Sequence, residues 1–325
     1  MIAFPECRHP RRKKCGCTKA GTQRYKCLDC GKKFTESTSR FDGMRIGAEK
    51  AAQIISMLCE GMSVRATCRL TDTNMETVLD LLGLIGDRCK AFLERTIKAV
   101  AVDDVQVDEA WQFVFCKERT ARDLRAKMFV GYTPRIGDSW CFTAVERTTK
   151  LVVAWHLGSR DQDDANEFCR KLSVATTGRF HLSTDGHRPY PTAVRSTLAG
   201  RVDYGVLIKI FRNATPDDQR QYSPGKIVGT KKELLMGNPD KDRVCTSHTE
   251  RHNGSMRCFI KRMGRLTYCF SKRWDNHEAA VALYIAHFNF VRKHNSLKGK
   301  TPAMASGLAD HVWTVAELLE KIGPT

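Results

Sequence analysis

The sequence predicts an α/β protein: a mixed sheet flanked by helices, preceded by a small cysteine-bearing segment and a compact helical segment. Three observations carry this. Apolar residues recur at helical spacing from Ile46 to about Thr96, then switch to strand-like runs beyond Lys98. The runs come first and then alternate with helical stretches, as in a mixed sheet with helices packed over it. Five of the 14 cysteines crowd into residues 7 to 30, and the other nine are scattered singly.

Composition sets the outer bounds. With 42% hydrophobic residues in 325, the chain can bury a core, so disorder is excluded as its main state. The length predicts about two domains. A net charge of +18 and a pI near 9.4 call for an acidic partner, most simply a nucleic acid backbone, and argue against an enzyme of small neutral metabolites. No run reaches the roughly 18 apolar residues of a membrane helix, and the N-terminus lacks an apolar signal stretch. The expectation is a cytoplasmic protein that does not engage membranes.

Residues 1–46 hold twelve Lys plus Arg against four Asp plus Glu, with little apolar periodicity. Such a segment needs a staple. Cys27-Leu28-Asp29-Cys30-Gly31 is half of a zinc ribbon, because CxxC followed by Gly sets two thiolates on one tight turn around a tetrahedral ion. Cys7 is the expected third ligand and Cys17 the fourth, with Cys15 and His9 as substitutes. Zn2+ would then supply folding energy that the polar segment lacks. A ribbon that has lost its metal is the other reading. Eight surrounding cations, Arg11 to Lys14 among them, suit phosphate contacts.

Residues 47–97 read as three helices, Glu49 to Cys59, Val64 to Leu70 and Met75 to Leu84, with Ser63 and Thr73 or Asn74 as N-caps. This is a helix-turn-helix pattern, in which the last helix would enter a major groove and present Asn74 and Thr77. That helix is acidic, so Arg65 and Arg69 are added as candidate DNA contacts. A purely structural bundle is the alternative.

Residues 98–300 are expected to form the α/β domain. Strands are predicted over 99–107, 113–116, 140–145, 151–156, 179–184 and 206–211, with helices over 161–173, 191–198, 249–263 and 277–293. Residues 212–247, rich in Pro, Gly and charge, read as an inserted loop region. The tail, 301–325, ends in an amphipathic stretch from Trp313 to Ile322.

Three carboxylates stand out within this frame. Asp108 interrupts an apolar strand, where a charge is costly without a compensating cation. Asp185 ends another strand, the position at which α/β folds gather ligands. Glu250 opens a helix on which Asn253, Arg257 and Lys261 share its face and Met256, Phe259 and Ile260 take the other. Acids converging from two strand ends and a helix suit a pair of Mg2+ or Mn2+ ions about 3.5 to 4 Å apart, acting on a phosphodiester. Asp103, Asp104, Glu109 and Glu233 are the acids most easily confused with them.

The segments Val107-Asp108-Glu109-Ala110-Trp111, Thr184-Asp185-Gly186, Glu250-Arg251-His252-Asn253, Phe270-Ser271-Lys272-Arg273-Trp274 and Thr301-Pro302-Ala303-Met304 resemble the transposases of the IS-one family of bacterial insertion sequences. The resemblance spans nearly the whole chain. It implies a ribonuclease-H-like catalytic domain with a DDE triad at Asp108, Asp185 and Glu250. It also implies a nucleoid-associated protein that acts, as a homo-oligomer, on double-stranded DNA: the ends of its own insertion sequence and a target. Arg251, Asn253, Arg257 and Lys261 are then expected to hold the strand against the metals. Two departures are visible: Phe4 stands where the family usually has its first ribbon cysteine, and the step from Asp185 to Glu250 is longer than in the shortest members. A non-enzymatic DNA-binding regulator and a nuclease without joining activity are the competing functions.

The ribbon reading predicts about one zinc per chain after extensive dialysis, measured by elemental analysis and lost in Cys27→Ser and Cys30→Ser. A folded protein free of zinc would reject the ligand set.

Overall fold

A computed structural model describes residues 11–17, 23–35, 41, 44, 46–127, 135–212, 227–264 and 267–323, with the side chains of 34 and 35 outside the description. The proposed ligand Cys7 lies outside the described residues. The chain divides into two compact units, residues 1–54 and 55–325.

The first unit holds a three-stranded antiparallel sheet of β1 (Arg12–Cys17), β2 (Gln23–Cys27) and β3 (Lys33–Thr35), in that order. Cys27 is buried at the end of β2, and the amides of Asp29 and Cys30 donate to its Sγ at 3.4 and 3.5 Å. Gly31 follows with φ +72°, a backbone state that favours glycine. Cys17 and Cys30 are exposed and Cys15 half-buried. Among the described residues, the cysteines form no group of three metal-ligand atoms.

Helix α1 (Ala48–Cys59) spans the division between the units, and α2 (Val64–Thr71) and α3 (Met75–Thr96) follow in the second. Ser63 caps α2 by accepting from the Ala66 amide at 3.2 Å, and Asn74 caps α3 by accepting from Glu76 at 2.9 Å. Helix α3 runs 22 residues, well past Leu84, because Ile85, Cys89, Phe92 and Leu93 continue its buried stripe.

After the short β4 (Val100–Ala101) comes a six-stranded mixed sheet built from β5 (Asp104–Val114), β6 (Gly137–Glu146), β7 (Val152–Gly158), β9 (Phe180–Asp185), β10 (Val202–Phe211) and β11 (Ile227–Met236). The order across it is β11-β10-β9-β5-β6-β7, and β8 (Thr176–Thr177) pairs with β4 outside it. Strands β5, β9 and β10 run parallel, whereas β6, β7 and β11 pair antiparallel with their neighbours. Helix α5 (Gln162–Ala175) carries the chain from β7 to β9 and α6 (Tyr190–Leu198) from β9 to β10; the two pack together. Helix α4 (Glu118–Ala126), not foreseen in the sequence, packs on β6.

The two predicted runs at 99–107 and 113–116 are largely one strand, β5, with Asp108 near its middle. The expected loop over 212–247 is corrected in part, since 227–236 form an edge strand. Among the described residues its only ladder partner is β10, and the glycine and lysines of an exposed edge disguised it as a loop.

Helix α7 (Ser247–Phe259) crosses β5 and β6, and α8 (Trp274–Phe290) packs on α3. Short α9 (Pro302–Ala305) and α10 (Val315–Lys321) complete the unit, and Trp313 stacks on Phe290 at 4.6 Å between ring centres. No helix among the described residues is long and apolar enough to cross a membrane.

The α3–α8 contact is close: a Cβ added at Gly86 would lie 2.3 Å from Ala279 Cα. Gly86→Ala is therefore expected to cost about 1–3 kcal/mol, read as a Tm several degrees lower by calorimetry. An unchanged Tm would mean that the helices do not meet there.

Candidate active site

Strand register brings the first two predicted acids together. Strands β5 and β9 pair in parallel up to Gln106 opposite Ser183, so two residues further Asp108 stands beside Asp185. Alternation along β5 sends Asp108 and Glu109 to opposite faces of the sheet. Asp108 faces α7, where Asn253 Nδ2 donates to its Oδ2 at 2.8 Å. Glu109 faces α5 and α6, beside the buried Tyr190 hydroxyl, and accepts from Arg160 Nε at 3.1 Å. Asp185, at a strand end, reaches both. Ligand oxygens of Asp108, Glu109 and Asp185 lie within 4.8 Å of one another.

Glu250 belongs to the first turn of α7 and adjoins this group, although its oxygens are not among those within 4.8 Å. Its Oε1 accepts from Lys209 Nζ of β10 and from Thr246 Oγ1, both at 2.5 Å. Arg160 Nη2 lies 3.0 Å from Glu109 Oε2 and 3.3 Å from Asp185 Oδ2. Four carboxylates thus share two cationic side chains.

The electrostatics follow from burial first and from that shortage second. Burial, then the charge of Asp185, pushes Asp108 up to about 6. The same two causes push Glu109 up to about 8. Asp185 is also raised by burial, although the His187 amide donates to its Oδ1 and Arg160 and Lys209 lie near. Burial holds His187 down to about 4, so its ring is neutral near pH 7. Glu109 Oε1 is buried without a hydrogen-bond partner. An anionic, under-compensated set of hard oxygen donors fits a divalent cation such as Mg2+ or Mn2+, with Asp108, Asp185 and Glu109 as the grouped donors and Glu250 at the margin.

The remaining predicted contacts fall in several places. Asn253 is buried, accepts weakly from Thr143 Oγ1 at 3.4 Å and is engaged by Asp108, so its side chain supports that acid and does not lie on an open helix face. Arg251 and Lys261 are exposed and Arg257 is half-buried. On α2 and α3, Arg65, Arg69 and Asn74 are exposed and Thr77 is half-buried. Sequence reasoning missed Arg160, Lys209 and Tyr190, and it placed Glu109 among the decoys. Its adjacency to Asp108 was the available signal, because an acid on each face of one strand position straddles a neighbouring strand end.

The chain matches no protein-family profile and no curated protein sequence. Among solved structures it is similar to a piggyBac transposase in a synaptic complex with hairpin DNA. The TM-score is 0.34 and the identity 9%, over 85% of this chain and 70% of that one.

The raised carboxyls carry a testable sign. Between about pH 4 and 8 the folded chain holds protons that the unfolded chain releases, so in chelator the cluster lowers stability as pH rises. Glu109→Gln is expected to melt close to wild type at pH 5 and above it at pH 8.5, and added Mn2+ to raise the wild-type Tm more at pH 8.5 than at pH 5. A wild-type-to-variant difference independent of pH would contradict this picture of the cluster.

Proposed function

We propose that this chain is a DNA transposase of the DDE type. It would bind the ends of its insertion sequence and catalyse metal-dependent hydrolysis and strand transfer of phosphodiesters. The observation that carries the reading is the register that sets Asp108 beside Asp185 on adjacent parallel strands, with Glu250 on the helix that crosses β5 and β6. The sheet order, with three antiparallel strands followed by two parallel ones across β5, supports a ribonuclease-H-like catalytic domain. The net charge of +18 supports DNA as the partner.

In this reading Asp108, Asp185 and Glu250 hold a pair of Mg2+ or Mn2+ ions, which supply a polarised phosphate and an activated hydroxyl when bound. Asn253 fixes the rotamer of Asp108 by its hydrogen bond to Oδ2. Arg160 and Lys209 screen the carboxylates from one another in the metal-free protein. Glu109 holds Arg160 at the rim, where its guanidinium also reaches Asp185. Water, and then a freed 3′ hydroxyl, would attack in line, and no covalent enzyme intermediate is needed. Arg251, Arg257 and Lys261 of the α7 region serve as phosphate contacts, and Arg65, Arg69, Asn74 and Thr77 as contacts to duplex DNA. Zn2+ held by Cys27 and Cys30 with Cys7, and assembly as a homo-oligomer on DNA, complete the proposal, which places the protein on bacterial DNA as a member of the IS-one family. Cys17 drops out of the expected ligand set because it pairs opposite Gln23, four residues along β2 from Cys27 and so about 13 Å away.

The test is a cleavage and strand-transfer assay with Mg2+ on DNA carrying the terminal repeats that flank the coding sequence. Asp108→Asn, Asp185→Asn and Glu250→Gln are each expected to lower both reactions at least about a hundredfold while DNA binding is retained. Undiminished turnover in any one of them would remove that residue from the triad, and undiminished turnover in Asp108→Asn would end the reading.

A further inference from the structure

The sheet face that carries Glu109 leaves the cover of α5 and α6 as β5 runs on, and the residues there are not polar. Val107 and Glu109 are buried, Trp111 and Phe113 half-buried, and Phe115, just past the strand, is 47% exposed. The Trp111 and Phe113 rings lie 5.9 Å apart, and Phe113 lies 5.0 Å from Phe270. Trp140 stands opposite Trp111 in the β5–β6 register. Cations edge the row at both ends: the Arg160 guanidinium is 4.7 Å from the Trp140 ring centre and Lys272 Nζ 3.4 Å from that of Phe270. Arg160 is the residue that also grips Glu109 and Asp185. Past Trp140 the row opens on a cavity of about 670 Å3 lined by Arg135 and Arg160 together with Asp138 and with Arg122 and Arg125, which pair with Glu118.

A sheet face that emerges into solvent ordinarily carries polar residues. A row of partly bare rings bordered by cations marks a binding surface. Its chemistry selects the occupant. Rings offer stacking faces and cations offer phosphate contacts, which together fit bases whose own faces are free. In a duplex those faces are stacked on neighbouring pairs, whereas an unpaired strand presents them. A second copy of this chain, itself at +18, would bring its own positive charge against Arg160 and Lys272.

We propose that the strip formed by Trp111, Phe113 and Phe270, with Arg160 and Lys272 at its ends, binds two or three unpaired nucleotides next to the acidic cluster. The inference rests on the phosphodiester chemistry proposed above and deepens it: the strand reaching the carboxylates is locally melted, with bases splayed onto the rings while the scissile phosphate faces Asp108 and Asp185.

The experiment uses the full chain in chelator, so that no cleavage intervenes, at one fixed salt concentration. A short oligothymidylate carrying a single 2-aminopurine is titrated against a duplex of equal length. Wild type is expected to bind the single strand with quenching of the 2-aminopurine. Phe113→Leu and Phe270→Leu keep apolar bulk but remove a ring, and each should weaken single-strand binding at least about fivefold with duplex binding unchanged. Lys272→Gln, at an exposed position that cannot unfold the sheet, should weaken it about two- to fivefold. Equal affinity and quenching in all three variants would overturn the proposal. So would loss of self-association in the variants without loss of oligonucleotide binding, since the strip would then be an interface between copies. Asp108→Asn separates the two readings. It should bind the single strand as wild type does while failing to cleave; if it cleaves, the site assignment fails, whatever the titration shows.

Discussion

Carboxylates that repel one another are held together by a backbone that gives them no room to part. Asp108 and Asp185 are locked side by side by the β5–β9 register, and Glu109 follows Asp108 on the same strand. Inside a protein, where charges are poorly screened, such a group is unfavourable until cations arrive. Arg160 and Lys209 supply two positive charges to four carboxyl groups, of which Glu109, pushed up to about 8, holds its proton near pH 7. The remaining imbalance is what makes the site receptive to hard divalent ions, and most neighbouring features serve to tolerate it.

The scaffold keeps that register from slipping. At the other end of the paired segment, buried Asp104 accepts from Arg147 and Arg243, both at 3.2 Å, and stands opposite His181. From that anchored pair the two strands run in step to the acids. Helices on both faces close the sheet: α7 brings Asn253 to Asp108, and α6 brings Tyr190 toward Glu109. Beyond β9, the pairing of β10 with β11 supports Lys209, which sits opposite Thr230 and reaches Glu250. The edge strand therefore acts on the site through the lysine of its neighbour.

Function, in this view, grows from one side of the sheet to the other. The Asp108 face meets α7 and its basic residues. The Glu109 face runs out into aromatic rings, and Arg160 joins the two at the rim by touching Glu109, Asp185 and Trp140 at once. A polynucleotide laid across the strand ends would meet acids in the middle, cations along its phosphates and ring faces where its bases turn outward.

Much of this was legible in the chain itself. The change of apolar period marks where helices give way to strands, because periods of 3.6 and 2 leave different spacings. The caps Ser63 and Asn74 are local, since each side chain bonds an amide two or three residues away. An Asp in an apolar run and another at a strand end flag the two central acids. Strand β11 was hidden by its edge composition, and α4 by a sequence too polar to show a buried stripe. What no local pattern contains is partnership across distance. Glu109 looked like a bystander because its company, Arg160 and Tyr190, arrives only when β7, α5 and α6 fold over β5. Asn253 looked like an outward-facing residue because helical spacing gives relative angles and not the direction of the sheet. Propensity and periodicity act within a few residues, so the elements and the kind of charge they carry can be read along the chain. Which charges meet depends on strand register and helix crossing, and these are set by packing among segments remote in the chain.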